Sequence, residues 1–226
     1  MKNALNLMTG YAYGAVSKGL VLGLLLTLTA CALPKQTVRP VVYDFGPGSR
    51  VASLVPGLTT LTPLVLDEVV ASPALDNTAV QYRLAYVDEQ QLRPYKQARW
   101  SMMPSQLIRQ RLREHLGQHR TLLDPGDHSV FDGSRRLAPA PPLTLRLELE
   151  EFSQLFESPD KSVGLLRLRA TAIQTSATGE KRITQRHVVV QQPAPSADAP
   201  GGVRAMAAAT DAAMREIDEW LQELAR

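Results

Sequence analysis

The clearest period along this chain is two. Leu143, Leu145, Leu147 and Leu149 fall on one side of an extended segment, and Thr144, Arg146, Glu148 and Glu150 on the other. Such alternation marks a strand with one buried face. Ser158-Pro-Asp-Lys161 reads as a turn, Val163–Thr175 as a second strand, Ala177–Lys181 as another turn and Arg182–Gln192 as a third strand. Strands joined by short turns form an antiparallel meander. Ala79–Tyr86 alternates too, with Val80, Tyr82, Leu84 and Tyr86 opposite Gln81 and Arg83. Val41–Pro47 and Leu64–Val70 are shorter strand candidates, separated by a loop over Gly48–Thr62 that carries Pro56-Gly57.

Two segments switch to a period near 3.6. Leu107, Ile108, Leu112 and Leu116 make one apolar stripe, with Arg109, Arg113 and Glu114 outward. Pro104 suits the first turn of this helix, where its missing N–H would have no partner, and Gly117 suits its end. The second stripe is longer: Val203, Met206, Thr210, Ala213, Met214, Ile217, Trp220, Leu221 and Leu224, with Asp211, Arg215, Asp218, Glu219 and Gln222 opposite. It predicts a C-terminal amphipathic helix packed on the sheet of its own domain. Its polar face is acidic, which argues against binding to a membrane surface. Polar, proline-rich links cover Asp124–Pro142 and Pro193–Gly202. Strands and helices interleave in one run without repeats. The expected fold class is therefore a single α/β domain with a mixed β-sheet packed with helices.

The first thirty residues are of another kind. They hold no acidic residue and only two basic ones, Lys2 and Lys18, followed by an apolar run from Leu20 to Ala30. The run is too short for a membrane span of about 20 apolar residues, and its layout is that of a secretory signal. It ends in Leu28-Thr29-Ala30-Cys31, which resembles a lipobox. Small residues there let a signal peptidase close on the backbone, and the thiol takes up a diacylglyceryl group. Cys31 is the only cysteine, so it cannot serve a structural disulfide. The expected organisation is a signal peptide over 1–30, a lipidated tether over 31–40 and a periplasmic domain over 41–226. Two or three acyl chains, palmitate among them, would anchor the protein firmly. Ala32, rather than Asp, follows the cysteine, which favours the outer membrane over the inner.

Without Lys2 and Lys18 the chain carries 23 basic against 22 acidic residues. That balance, with no dense Lys/Arg run, excludes a nucleic-acid binder of the usual kind. A catalytic constellation is also missing. His115 and His119 are four apart, but the zinc-protease pattern needs Glu after the first His, and Leu116 stands there. Ser134 lies in Asp132-Gly-Ser-Arg, without a nucleophile elbow, and Gly201-Gly202 lacks a phosphate-loop lysine. No enzyme, cofactor or metal site is expected. Arg167 and Arg169 share a strand face with which Arg146 could form a basic patch; the plainer expectation is cross-strand pairing with Glu148 and Glu150.

Several motifs in order carry a resemblance. Tyr43-Asp-Phe45-Gly46-Pro47 opens the domain, Tyr82-Arg83 lies on a strand, and Tyr95 follows about a dozen residues on. Trp100 and Pro104 precede a helix, and Ile217-Asp-Glu-Trp220-Leu221 closes an alanine-rich one. With the lipobox, these resemble the ABC-type transport auxiliary lipoprotein family, which includes PqiC-like proteins. The usual Leu of the opening motif is Phe45 here.

The resemblance implies a fold like the N-terminal domain of TolB. It also implies a non-enzymatic periplasmic part of an MCE-type lipid transport system, with an ABC permease and ATPase in the inner membrane. Its implied partner is the MCE-domain protein that bridges the periplasm, met at the outer membrane. Tyr82, Arg83, Tyr95 and Trp100 are the candidate partner-binding residues, because Tyr, Trp and Arg are enriched at interface hot spots. The alternative is a lipoprotein that itself holds an acyl chain between sheet and helix. A homo-oligomer is left open.

Overall fold

Residues 39–48, 61–126, 142–175 and 181–224 are described by the structure, a computed structural model of the chain. Eight strands and two helices follow in the order β1 (Val41–Tyr43), β2 (Leu61–Ala71), β3 (Ala79–Leu84), β4 (Asp88–Trp100), α1 (Pro104–Leu116), β5 (Arg120–Leu123), β6 (Leu143–Ser158), β7 (Lys161–Thr175), β8 (Lys181–Pro193) and α2 (Ala199–Leu224). The expected single α/β domain with a mixed sheet is present, and so is the meander, as β6, β7 and β8.

β6 organises the rest. At 16 residues it is about 50 Å long at a strand's rise per residue, more than either β2 or β3 covers. One edge pairs antiparallel with β7 along its whole length. The other is shared: β2 runs parallel to it from Leu143 to Leu149, and β3 parallel to it from Gln154 to Phe156. The sheet thus forks, with β5 outside β2 on one branch and β4 then β1 outside β3 on the other. A register shift between Leu149 and Glu151 lies near the fork. The extra residue of such a bulge flips the alternation. Leu145, Leu147 and Leu149 are buried before it, Phe152, Gln154 and Phe156 after it.

Both helices lie on the same face. The α1 stripe is buried as the period predicts, with Ile108, Leu112 and Leu116 at 0% exposure. α2 covers β7 and β8 through Ala205, Met206, Ala209, Ala213, Met214, Ile217 and Leu221. Asp198 caps its start, accepting the Gly201 N–H at 2.8 Å as an N-cap carboxylate does. Small residues let this helix sit close. A β-carbon on Gly164 of β7 would lie 2.5 Å from the Met206 nitrogen and press on the Ala205 backbone. Gly164→Ala is therefore expected to lift α2 and cost about 1–3 kcal/mol, as overpacking does; a lowered urea midpoint checks this.

Several sequence expectations are corrected. β4 and β5 are strands that periodicity does not reveal. β4 contains Pro94, tolerated because β1 pairs only with Ala98–Trp100 and leaves the edge beside Pro94 open. The strand from Ala79 ends at Leu84, leaving Tyr86 in the β3–β4 turn, and Gln81, expected outward, is buried. Pro193–Gly202 is not wholly a linker: Gly201 and Gly202 lie in the first turn of α2. Asp218, expected on the polar face of that helix, is 6% exposed.

Candidate functional site

The four candidate partner-binding residues separate into three environments. Tyr82 and Arg83 are neighbours on β3, so their side chains leave opposite faces of the sheet. Tyr82 lies against Tyr95, with ring centroids 4.6 Å apart, and edge-on to Phe156. The Tyr95 hydroxyl donates to Gln154 Oε1 at 2.8 Å, and Gln154 Nε2 donates to Ser162 Oγ at 2.7 Å. Gln154 is fully buried beneath the start of α2, where a β-carbon on Gly202 would collide with its carboxamide. Burial, then the neighbouring Tyr82 and Asp198, pushes the Tyr95 phenol well above its usual range, so it remains a proton donor.

Arg83 is on the other face and its donors are occupied. Nε and Nη2 grip the Glu151 carboxylate at 3.2 and 2.9 Å, while Nη1 donates to the Glu89 and Gln90 carbonyls at 3.0 Å each. Glu151, 4% exposed, also accepts from Ser153 Oγ at 2.6 Å. Arg83 thereby ties the start of β4 down onto β6. Trp100 is 2% exposed in a ring cluster with Phe45 and Phe152. Of the four, only Tyr82 and Tyr95 are brought into contact.

The arginines of β6 and β7 are paired, but only Arg169 has the expected partners Glu148 and Glu150. Arg169 reaches Glu150 at 2.6 Å and Glu148 at 3.5 Å, Arg167 reaches Glu151 at 3.7 Å, and Arg146 reaches Asp67 at 3.1 Å. These pairs neutralise the open face of the sheet. Most are solvent-exposed, so they contribute little to stability.

Arg111 is a residue the sequence reading passed over. It lies within the α1 polar stretch yet is 7% exposed. Its Nη2 donates to the Phe45 and Gly46 carbonyls at 2.5 and 3.2 Å, its Nε faces Asp211 of α2 at 3.4 Å, and its guanidinium lies over the Phe45 ring. It clamps the opening motif to both helices. Gly46 and Gly48 have φ of 69° and 70°, the left-handed region open to glycine, and a β-carbon on Gly48 would meet the Arg111 guanidinium. Gly46 of the motif and the following Gly48 are thus explained by backbone shape, and Phe45 by the ring cluster.

A second buried knot joins β5, α1 and α2. Arg120 Nη2 donates to Asp218 Oδ1 at 3.1 Å, with side-chain exposures of 4% and 9%. His115 Nε2 is 3.9 Å from Asp218 Oδ2. Burial lowers the His115 pKa below its ordinary 6.5; His119 and Arg215 lower it further, while Asp218 and Asp211 pull upward. The folded state therefore favours neutral imidazole, and the unfolded chain takes up the proton first as pH falls. Stability is expected to drop as pH falls through about 6.5 toward the folded pKa. His115→Gln flattens that part of the stability–pH curve, which thermal melts across the range would read.

Among the described residues no group of three metal-ligating side chains converges, and no helix is long and apolar enough to cross a membrane. An open cleft of about 770 Å³ lies between β2 and α1, lined by Val70, Met102, Met103, Arg109 and Arg113 among others. Arg109 and Arg113 share the Asp124 carboxylate at 3.0 and 2.6 Å. Cys31 lies outside the described residues.

Comparison with known proteins extends this geometry. No curated protein matches the chain. A crystallised protein of Xanthomonas campestris from the DUF330 family superposes with a TM-score of 0.60 at 15% identity, covering 80% of this chain and 94% of that one. A second crystal structure, of an uncharacterized protein, gives 0.51 at 14% identity, covering 83% and 99%. At such identities the likeness establishes the fold. The match that goes further is in sequence: the family described as ABC-type transport auxiliary lipoprotein component covers residues 44–218. It spans the opening motif from Asp44, α1, α2 as far as Asp218 and all of the described sheet except β1, and the chain belongs to that family.

Proposed function

We propose that this protein is a lipid-anchored, non-enzymatic adaptor that docks the MCE-domain protein of an ABC-type lipid transport system at the periplasmic face of the outer membrane. The observation that carries the reading is the family match over residues 44–218, preceded in the same chain by the Leu28–Cys31 lipobox. Lipid anchoring confines the domain to a surface and raises its effective concentration toward a membrane-linked partner, so a modest interface suffices. The alternative, an acyl chain held between sheet and helix, has less support: β7 and α2 close on each other, with Leu166, Leu168, Met206, Ala209 and Met214 at most 1% exposed, and the cleft between β2 and α1 is open and edged by Arg109 and Arg113.

The test is affinity purification of C-terminally tagged protein from crosslinked, detergent-solubilised membranes, followed by mass spectrometry. Recovery of an MCE-domain protein with its permease and ATPase is expected. Recovery of the lipoprotein alone, from cells that express those partners, counts against the adaptor reading. Cys31→Ser is expected to release the protein from the membrane fraction and to reduce that recovery. A variant that stays with the membrane defeats the anchor assignment.

A further inference from the structure

The sheet ends on three edge strands, and they are unlike. β1 has three residues and β5 four, while β8 has thirteen and, among the described residues, pairs with β7 alone. Proteins protect exposed edges by keeping them short, by bulges, by proline or by charge. β1 and β5 are short. Of these devices β8 has only charge, from Lys181, Arg182 and Arg186: its register with β7 is unbroken from Lys181–Thr175 to Pro193–Val163, and its only proline is the last residue. Its centre is Val188-Val189-Val190, β-branched residues that favour strand pairing. Val189 and Ile183 stand 57% and 61% exposed on the sheet face away from α2.

Charge then selects the occupant. Lys181, Arg182 and Arg186 lie on β8, and no Asp or Glu does. Two copies of β8 set edge to edge would gather three basic residues from each and no carboxylate, an unfavourable cross-strand arrangement. A strand bearing acidic residues would pair with them. Arg182 and Arg186 point to the helix-covered side, and Arg186 already turns toward Glu216 and Glu223 of α2 at 3.5 and 3.4 Å. Ile183 and Val189 point to the other side.

We infer that the open edge of β8 is the docking surface for an extended, acid-bearing segment of the partner protein, which joins the sheet as an added strand. The incoming segment carries Asp or Glu on the side of Arg182 and Arg186 and apolar residues on the side of Ile183 and Val189. Main-chain hydrogen bonds supply affinity in such augmentation, and alternate side chains supply selectivity. This inference rests on the adaptor reading above and names the surface that reading needs.

The test uses the lipidated full chain in detergent with the purified periplasmic region of the MCE-domain protein. Amide hydrogen exchange and binding are measured for the natural chain, for Ile183→Lys/Val189→Lys, and for Val42→Lys on β1, an equally exposed apolar control. The inference expects slowed exchange over Arg182–Gln192 on complex formation. It also expects at least a tenfold loss of affinity in the β8 variant with its thermal midpoint unchanged, and none in the control. If the β8 variant does not fold, the exchange pattern of the natural chain decides. Binding that leaves β8 exchange unchanged overturns the edge assignment and leaves the adaptor reading standing. Absence of binding by the natural chain overturns both. Protection of β8 that grows with the protein's own concentration, without partner, assigns the edge to a second copy and overturns the inference.

Discussion

Trp100→Ala is expected to destabilise the domain by about 3–5 kcal/mol, the range for emptying a buried Trp or Phe site. Its indole sits 5.5 Å from the Phe45 ring and 5.4 Å from that of Phe152, and these two rings are 5.9 Å apart. The three come from different parts of the chain: the end of β4, the segment after β1, and β6 just past the bulge. Trp100 also fixes its backbone there, its N–H donating to the Thr78 carbonyl at 2.7 Å. Removing the indole leaves a cavity at the junction of the β3–β4–β1 branch and the opening motif, which Arg111 holds to the helices. Against a typical total stability of about 5–15 kcal/mol, such a loss leaves many molecules unfolded. Urea denaturation followed by fluorescence of the remaining Trp220 reads the shift in midpoint. A near-natural midpoint would show that Trp100 is not the centre of the core. Partner binding lost in Trp100→Ala would then report unfolding rather than a missing contact, so Tyr82 and Tyr95 are the informative aromatic positions.

Asp218→Ala is expected to cost a similar amount, about 3–5 kcal/mol, for an electrostatic reason. Arg120 has a side-chain exposure of 4%, and its Nε has no hydrogen-bond partner in the described structure. Asp218 is its one carboxylate partner there, so the alanine variant leaves a cation buried without compensation. The double replacement Arg120→Met/Asp218→Leu removes both charges and fills the volume. It is expected to fall within about 1 kcal/mol of the natural chain or above it, since apolar replacement of buried ion pairs is often neutral or stabilising. A double variant as unstable as Asp218→Ala would show that the knot matters through geometry, for example the Gln222 Nε2 bond to Asp218 at 3.1 Å, rather than through charge.

The two knots and the fork show where a reading along the chain stops. The α1 stripe, the leucines of β6 and the Ser158–Lys161 turn depend on residues one to four apart, and those were legible; the expected turn at Ala177–Lys181 falls largely outside the described residues. The long β4 was not, because Asp88–Trp100 lies at a thinly covered part of the sheet and shows no apolar alternation. Arg111 was invisible for a related reason. Its neighbours Gln110 and Arg113 are polar and more exposed, and only the carbonyls of Phe45 and Gly46, 66 and 65 residues away, distinguish it. The candidate residues were named by type, and type cannot tell a core tryptophan from an interface one.

By itself, the amino-acid sequence determined the α/β class, the antiparallel meander, both amphipathic helices and, through ordered motifs, the family. Each rests on local periodicity or on short spacings that survive without knowledge of contacts. The tertiary structure decided how β6 divides its edge between β2 and β3, which arginines are spent in ion pairs and which aromatic residues are interior. Among the described residues it also left β8 as a long edge unbroken by proline or bulge. These are contacts between distant segments, Arg120 and Asp218 being 98 residues apart. Their energies come from desolvation and shape at a meeting point that exists only once the chain has folded.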